Sequence, residues 1–317
     1  MKILANDGIH LSGIKHLEEA GHQVDTTTVS QSQLAHYINE HQIEVVLVRS
    51  ATEIKEALID QCPSIKLIGR GGVGMDNIAV DYAISKGIKV INTPDASARA
   101  VAELSFAHLL SGARFLYDAN RNMPLEGDTH FKDLKKSYAT GMELKGKTLG
   151  IFGFGNIGQE TAKIGLSMGM NVLFFDPEIK SITLELDFFN GHKVPFILEA
   201  SSRESVLEES HFISLHVPSQ KEYCIDRNAF SMLKKGVGII NTARGNSLDE
   251  VALIEFLDNG TVAFAGLDVF ESEPNPEIKI LMHPNISLTP HIGAATLEAQ
   301  EKIGLSLAKQ IISFDHA

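Results

Sequence analysis

The sequence predicts an α/β protein made of two doubly wound parallel-sheet domains. Short β-branched runs alternate with amphipathic stretches from one end to the other, which is the pattern of βα units whose helices cover a parallel sheet. The alternation is interrupted once, by a long apolar segment followed by a polar one, and then resumes. A chain of 317 residues, 44% of them hydrophobic, is long enough to give each half its own core.

In the first half "KILAN" (2–6), "VVLVRS" (45–50), "IKLIG" (65–69) and "KVINT" (89–93) read as strands buried on both faces. Between them "LSGIKHLEEAG", "QLAHYINEHQ" and "DNIAVDYAISKG" carry helical apolar spacing, with Gly21 and Gly87 as natural stops. A long apolar helix is expected over 97–116. The stretch 117–147 is rich in charge and lacks clear periodicity. The second series runs "KTLGIFG", "NVLFFD", "FISLHV", "VGIINTA", "VAFAGLDVF" and "ISLTP". Ser247 followed three residues later by Glu250 predicts a capping box, with that helix ending at Gly260. A last helix, "ATLEAQEKIGLSLAKQIISF", starts just beyond His291. No fixed-period repeat or low-complexity tract is present.

Bulk properties exclude some classes of function. The formal charge of −12 argues against sequence-independent nucleic-acid binding, which draws on lysine and arginine, while leaving room for a local basic pocket that takes a small anion. No apolar run reaches the roughly 18 residues of a membrane-spanning helix, and "MKILANDGIH" is not a secretory signal. Cys62 and Cys224 are far apart and lack metal-ligand spacing, so neither a disulfide nor a metal is expected, and a reducing cytoplasm is the simplest location.

Gly153, Gly155 and Gly158 form G-x-G-x-x-G between an apolar strand and an amphipathic helix. A second strand ends at Asp176, 18 residues past Gly158. In that setting the glycines let backbone approach a pyrophosphate at the helix N-terminus, and the carboxylate accepts from the adenosine ribose. A carboxylate at that point repels a 2′-phosphate, so NAD is expected rather than NADP. The alternative is a tight strand–turn–helix that holds no ligand.

Polar residues stand directly after several second-half strands: Arg244, Asp268 and His291, with Glu273 five residues past Asp268. Parallel strands deliver them to one sheet edge, where ligands of doubly wound folds bind. Singly, Arg244 and Asp268 can be caps and His291 can be structural. Together they suit hydride transfer at a carbon bearing a hydroxyl. Histidine takes or gives the hydroxyl proton near neutral pH, a carboxylate fixes its tautomer, and an arginine fork grips a carboxylate beside the reacting carbonyl. His291 as acid/base, Glu273 as its partner and Arg244 as anchor suggest 2-hydroxy acid oxidation or 2-keto acid reduction, with Asp268 toward the nicotinamide.

"GFGNIG", "NTARG", "LDVFESEP" and "TPHIG", in this order, resemble the NAD-dependent D-2-hydroxyacid dehydrogenase family over nearly the whole chain. "VRSAT" (48–52), "GRGGVGMDNI" (69–78) and "INTP" (91–94) are similar to its phosphoglycerate dehydrogenase branch, which oxidises 3-phosphoglycerate at the start of serine biosynthesis. The resemblance implies a Rossmann cofactor domain (97–290) inserted into a discontinuous, flavodoxin-like substrate domain (1–96 plus 291–317). Residues 97–145 would serve as a dimerisation helix and arm of a homodimer or tetramer. It places the catalytic groups on Arg244, Glu273 and His291. Gly153, Gly155, Asn156, Ile157, Gly158, Asp176, His216, Pro218, Thr242 and Asp268 fall on cofactor-binding positions. Arg49, Ser50 and Arg70, with the backbone of Gly72 and Val73, fall on the substrate side.

The chain departs from the family pattern at Asn156, where many relatives carry arginine, at Val73, where many carry threonine, and at Asn246, where a second glycine is usual. The first two changes predict weaker polar contact with cofactor or substrate. A phosphate needs cationic groups near it: Arg49 and Arg70 are the candidates, and Lys135 and Lys136 either reach across from a partner subunit or form a solvated face. Two other activities fit the same residues. One is a sibling dehydrogenase for glyoxylate, hydroxypyruvate or D-lactate; the other is a non-catalytic NAD(H)-sensing protein.

Overall fold

The computed structural model describes residues 1–316. In chain order the first elements are β1 (Lys2–Ala5), α1 (Leu11–Glu19), β2 (Gln23–Asp25), α2 (Leu34–His41), β3 (Val45–Val48), α3 (Glu56–Gln61), β4 (Leu67–Arg70), α4 (Val80–Ser85) and β5 (Lys89–Ile91). There follow α5 (Ala98–Ala113), α6 (Leu116–Glu126) and α7 (Phe131–Ser137). The second series is β6 (Thr148–Phe152), α8 (Asn156–Ser167), β7 (Asn171–Phe175), β8 (Ser181–Asp187), β9 (Lys193–Glu199), α9 (Arg203–Glu209) and β10 (Phe212–Leu215). It continues with α10 (Arg227–Ser231), β11 (Val237–Asn241), α11 (Glu250–Asp258), β12 (Val262–Leu267), α12 (Ile278–Met282), β13 (Ile286–Leu288) and α13 (Leu297–Asp315).

The chain divides into two compact units, Met1–Ala100 with the segment from Ala294 onward, and Val101–Gly293. The segment His291–Gly293 therefore goes with the second unit, although the sequence reading grouped it with the first. The backbone of His291 and the amides of Ile292 and Gly293 are bonded to Asp268, which is the reason.

In the first unit a parallel sheet has the order β2-β1-β3-β4-β5. Alternate residues of each strand enter opposite cores. Leu4, Val46, Val48 and Ile68 pack with Leu34 and Ile38 of α2 and Leu58 and Ile59 of α3. Ile3, Ala5, Val45, Leu47 and Leu67 pack with Leu17 of α1 and with Ile303, Leu307, Ala308 and Ile311 of α13. Both faces are covered, so the strands read as unbroken apolar runs. Each fully buried Leu or Ile contributes roughly 1.5–3 kcal/mol. Helices α1 and α13 meet backbone to backbone: a Cβ on Gly13 would lie 2.6 Å from the Gly304 carbonyl oxygen.

In the second unit the parallel order is β13-β12-β11-β10-β6-β7. Strand order reverses beside β6, because β7 lies on one side of it and β10 on the other. The glycine loop leaves β6 at that switch point. Helix α5 lies close on β12, where a Cβ on Gly112 would meet the Phe264 ring at 2.0 Å.

Two segments without a reading from the sequence take regular structure, and one expectation is corrected. The polar stretch 117–147 is largely helical: Phe115, at φ 55°, breaks the run after α5, and α6 and α7 follow. Residues 181–199 form an antiparallel hairpin, with Ile182, Leu184 and Leu198 turned to the core beside Phe174. The capping box at Ser247 does not form. Ser247 lies in a 3-10 turn (Gly245–Ser247) and its buried hydroxyl has no partner. Asp249 caps α11 instead, accepting from the Ala252 amide at 2.9 Å. Glu250 and Glu271 each accept the other's backbone N–H, at 2.9 and 3.0 Å, and this ties the start of α11 to the loop that leads to Glu273.

Candidate active site

The glycine loop has the steric character a phosphate cradle requires. Gly153 adopts φ +84°, and a Cβ there would strike the His216 carbonyl oxygen at 2.5 Å. One on Gly158 would come within 2.2 Å of the Gly153 oxygen, so the start of α8 sits directly on the loop. Gly155 faces open space and is the N-cap of α8 without a side-chain cap; no acidic residue occupies the first turn. The positive end of the helix is therefore presented bare to an anion.

Asp176 ends β7 and accepts from the amides of Phe154 (2.7 Å), Glu178 (2.9 Å) and Ile179 (3.0 Å). Burial pushes its pKa up, but the three amide bonds outweigh that and hold it below the usual value. A carboxylate has about four acceptor positions, so it organises the loop and still has one to offer a ribose hydroxyl. These groups fit NAD.

Behind the loop, His216 Nε2 lies 3.0 Å from Thr161 Oγ1 and 2.9 Å from Ser214 Oγ. The Thr161 hydroxyl donates to the Ile157 carbonyl, so the imidazole must donate from Nε2. Burial drives its pKa down to about 3, which keeps the ring neutral, and the enclosed Nδ1 has no partner. Thr242 is buried, with its hydroxyl 2.8 Å from that of Ser105, and Pro218 is exposed. Asn156 and Ile157 open α8.

The structure brings Arg244, Glu273 and His291 together. His291 Nδ1 lies 2.8 Å from Glu273 Oε2, and Glu273 Oε1 accepts from the Phe270 amide at 2.9 Å. His291 has φ +55°, an uncommon conformation for a residue with a side chain. Its N–H bonds to the Asp268 carbonyl oxygen at 2.9 Å. The Glu273 hydrogen bond is the main influence raising the His291 pKa, against burial, with the charges of Glu273 and Asp268 adding and Arg244 opposing. Burial raises the Glu273 pKa, but the His291 bond, the Phe270 amide and the nearby cations bring it below the ordinary value. Arg244 Nη1 donates to its neighbour's carbonyl, Ala243 O, at 2.7 Å, and its own carbonyl accepts from Asn241 Nδ2 at 2.9 Å.

Asn246, one of the departures, fastens this turn by donating to Ser219 Oγ (3.0 Å) and to the Gln220 carbonyl (2.6 Å). Gly245 allows a close approach: a Cβ would lie 1.9 Å from the Phe270 oxygen.

Asp268 is 1% exposed. It accepts from Thr289 Oγ1 at 2.6 Å and from the amides of Ile292 and Gly293, both at 2.8 Å. Three acceptor positions thus hold the His291 turn. The sequence assigns no role to His108, nor to Thr289, although Thr289 opens "TPHIG". A histidine inside the apolar helix of 97–116 was the available signal, because a buried imidazole requires partners.

In the first unit, the 49–52 turn is held by Asp7, which lies outside the motifs, and by Asn77, near the end of "GRGGVGMDNI". Asp7 accepts from the Arg49 amide at 2.6 Å and the Thr52 amide at 3.2 Å, and Asn77 Nδ2 donates to the carbonyls of Arg49 (2.8 Å) and Thr52 (2.6 Å). Arg49 follows β3 and Arg70 ends β4, so both residues stand at the carboxyl end of the first sheet, one position out of register with each other, since Val48 is the partner of Arg70. The Arg49 guanidinium donates to Gln300 Oε1, while its Nε is enclosed without a partner. Burial lowers its pKa, and Asp7 opposes that. Ser50 and Val73 are exposed. The Gly72 amide donates to the Arg70 carbonyl at 3.0 Å. The Gly72 N–H, expected on the substrate side, is engaged within this tight turn.

A dinucleotide cradle at a switch point, with a histidine–carboxylate pair and an arginine in the same unit, defines a nicotinamide-dependent oxidoreductase. A family model for "D-isomer specific 2-hydroxyacid dehydrogenase, NAD binding domain" matches residues 106–293, and the chain belongs to that family. It is 42% identical over 294 residues to a hydroxypyruvate reductase from Thermotoga maritima, covering 91% of this chain and 90% of that one. It is 39% identical over 313 residues to a D-3-phosphoglycerate dehydrogenase from Methanocaldococcus jannaschii, covering 98% of this chain and 57% of that protein's length. Among solved structures, a D-lactate dehydrogenase from Aquifex aeolicus, complexed with NAD and lactic acid, superposes with TM-score 0.75 at 28% identity, over 100% of this chain and 96% of that one. The cofactor is NAD. No helix among the described residues is long and apolar enough to cross a membrane.

Proposed function

We propose that the protein interconverts 3-phospho-D-glycerate and 3-phosphohydroxypyruvate with NAD, the entry reaction of L-serine biosynthesis. The observation that carries this reading is the pair of arginines, Arg49 and Arg70, leaving neighbouring strand ends. Two guanidinium groups suit a dianionic phosphate better than an uncharged hydroxymethyl group. Val73, through its backbone, and Ser50 complete the substrate side of the first unit.

Arg244 holds the substrate carboxylate in a two-pronged grip and polarises the reacting carbonyl. Glu273 occupies Nδ1 of His291, which leaves Nε2 to exchange the proton with the C2 hydroxyl. When bound, the nicotinamide accepts a hydride from C2 or returns it. In oxidation the hydroxyl proton passes to Nε2 as the C–O bond becomes a carbonyl; in reduction Nε2 gives it back. The glycine loop, Asn156 and Ile157 hold the pyrophosphate and Asp176 the ribose, with His216, Pro218 and Thr242 lining the rest of the cofactor position.

Reduction needs the imidazolium. It therefore runs fully below the raised pKa of His291 and falls as pH rises through it. Glu273→Gln removes the largest raising influence, so the alkaline limb of the reduction profile is expected to move to lower pH. A limb that stays in place in a rate-against-pH titration of the variant would show that Glu273 does not set this pKa.

A second reading, hydroxypyruvate reduction, is favoured by the Thermotoga maritima relative, which is matched over 90% of its length. NADH consumption with each acid separates the two. Arg49→Ala is expected to lower kcat/KM for phosphohydroxypyruvate at least a hundredfold, about 3 kcal/mol for a charge-assisted fork, and to change the value for hydroxypyruvate far less. Equal losses on both acids would remove the phosphate-reading role. Exposed Leu110, Leu116, Leu125 and Phe131 on α5 to α7 support a homodimer through residues 97–145.

A further inference from the structure

A buried polar chain reaches the acid/base histidine from behind, outside the catalytic trio. His108, on α5, is 3% exposed, and its imidazole lies over Gly266 of β12, where a Cβ would be 2.5 Å from the His108 Cβ. Its Nδ1 is 2.9 Å from Ser287 Oγ and its Nε2 is 2.9 Å from Thr289 Oγ1.

Counting donors fixes every proton in this chain. Thr289 has one hydroxyl hydrogen, and at 2.6 Å it goes to the Asp268 carboxylate, which only accepts. Thr289 must therefore accept from His108, so Nε2 carries the hydrogen. Nδ1 is then a lone pair and takes the hydroxyl of Ser287. Burial also lowers the pKa of His108, so the ring stays neutral and this tautomer persists. The direction of donation is Ser287 to His108 to Thr289 to Asp268. Asp268 in turn receives the amides of Ile292 and Gly293, and its carbonyl receives that of His291.

We propose that His108 is a positioning residue for His291, acting through Thr289 and Asp268. Donation into the Thr289 oxygen polarises its O–H and strengthens the bond to Asp268, since bonds in series reinforce one another. The charge on Asp268 is thereby held where it supports the left-handed turn at His291 and stabilises the imidazolium. The proposal rests on the reading of His291 as the acid/base.

The test compares His108→Leu, which removes both ring nitrogens, with His108→Gln, which keeps one donor and one acceptor. For His108→Leu, kcat for keto-acid reduction is expected to fall tenfold to a hundredfold. The His291 midpoint, followed by NMR titration of its imidazole, is expected to move down by about half a pH unit, and NADH affinity is expected to hold. His108→Gln should recover most of both losses. Wild-type kcat and midpoint in His108→Leu would overturn the proposal. So would equal damage in the two variants, because the site would then need the ring's shape rather than its hydrogen bonds. If His108→Leu does not fold, Ser287→Ala carries the test: removing the donor to Nδ1 should lower the midpoint, and an unchanged midpoint overturns the chain. The titration needs no turnover, so wild-type protein that reduces no keto acid would defeat the proposed activity while the coupling of His108 to His291 is still read.

Discussion

His291→Gln is expected to lower kcat for 2-keto acid reduction by about a thousandfold, within the range for losing a positioned general acid, while NADH binds as before. The side chain supplies the one proton the carbonyl oxygen requires, and a glutamine amide cannot release a proton near neutral pH. The cofactor groups, from Gly153 to Asp176, lie on other strands, so the dissociation constant for NADH should be unaffected. One complication is conformational. His291 sits at φ +55°, where histidine and asparagine are tolerated better than most residues. His291→Asn keeps that tolerance and removes the proton carrier. Single-turnover rates and NADH titration on both variants give the answer; turnover near the wild-type rate in His291→Asn would end the assignment.

Asp268→Asn is expected to be nearly as damaging, and through the fold of the site rather than through chemistry. The carboxylate faces three donors, with Thr289 and Ile292 on Oδ1 and Gly293 on Oδ2. An asparagine can satisfy one side only, because its NH2 group meets a donor on the other. A buried, mismatched donor costs about 1–3 kcal/mol, so the melting temperature should drop by several degrees. The His291 turn would lose a fixed point and the imidazolium its supporting charge, so kcat should fall together with stability. Thermal melts and kcat measured side by side check this. An unchanged melting temperature would mean that the three bonds do not hold the turn in solution.

Strand periodicity and turn chemistry made much of the architecture legible. "VVLV" and "VGII" are unbroken apolar runs because both faces of each sheet are covered, and the glycine loop announced itself through the strand and helix on either side of it. Residues 181–199 carried a signal that was overlooked. Ile182, Leu184 and Leu186 alternate with polar residues, and Asn190-Gly191 marks a tight hairpin turn. Within α6 and α7 the apolar side chains are largely exposed, so they leave no amphipathic stripe to read.

The trio Arg244, Glu273 and His291 was legible because each follows a strand that ends at the same edge. The supporting groups were not. Asp7, Asn77 and Asn246 act on backbone 25 to 45 residues distant, and His108 bonds to Thr289 across 181 residues. No local pattern encodes such pairings. Asp249 displaced Ser247 as the helix cap for a related reason: the 3-10 turn beneath Arg244 already fixes the backbone of Ser247.

The covering of the first sheet by α13 has a consequence for synthesis. The first hundred residues leave the ribosome while the helix that shields Ile3, Val45 and Leu67 has yet to be made. The contiguous stretch Val101–Gly293, by contrast, holds all of its own sheet and both of its cores. Translation thus delivers the cofactor half complete at a moment when one apolar face of the other half is still bare. The strands of the first sheet emerge well before the last of their packing partners, and until then that face is a surface for chaperones or for unwanted association.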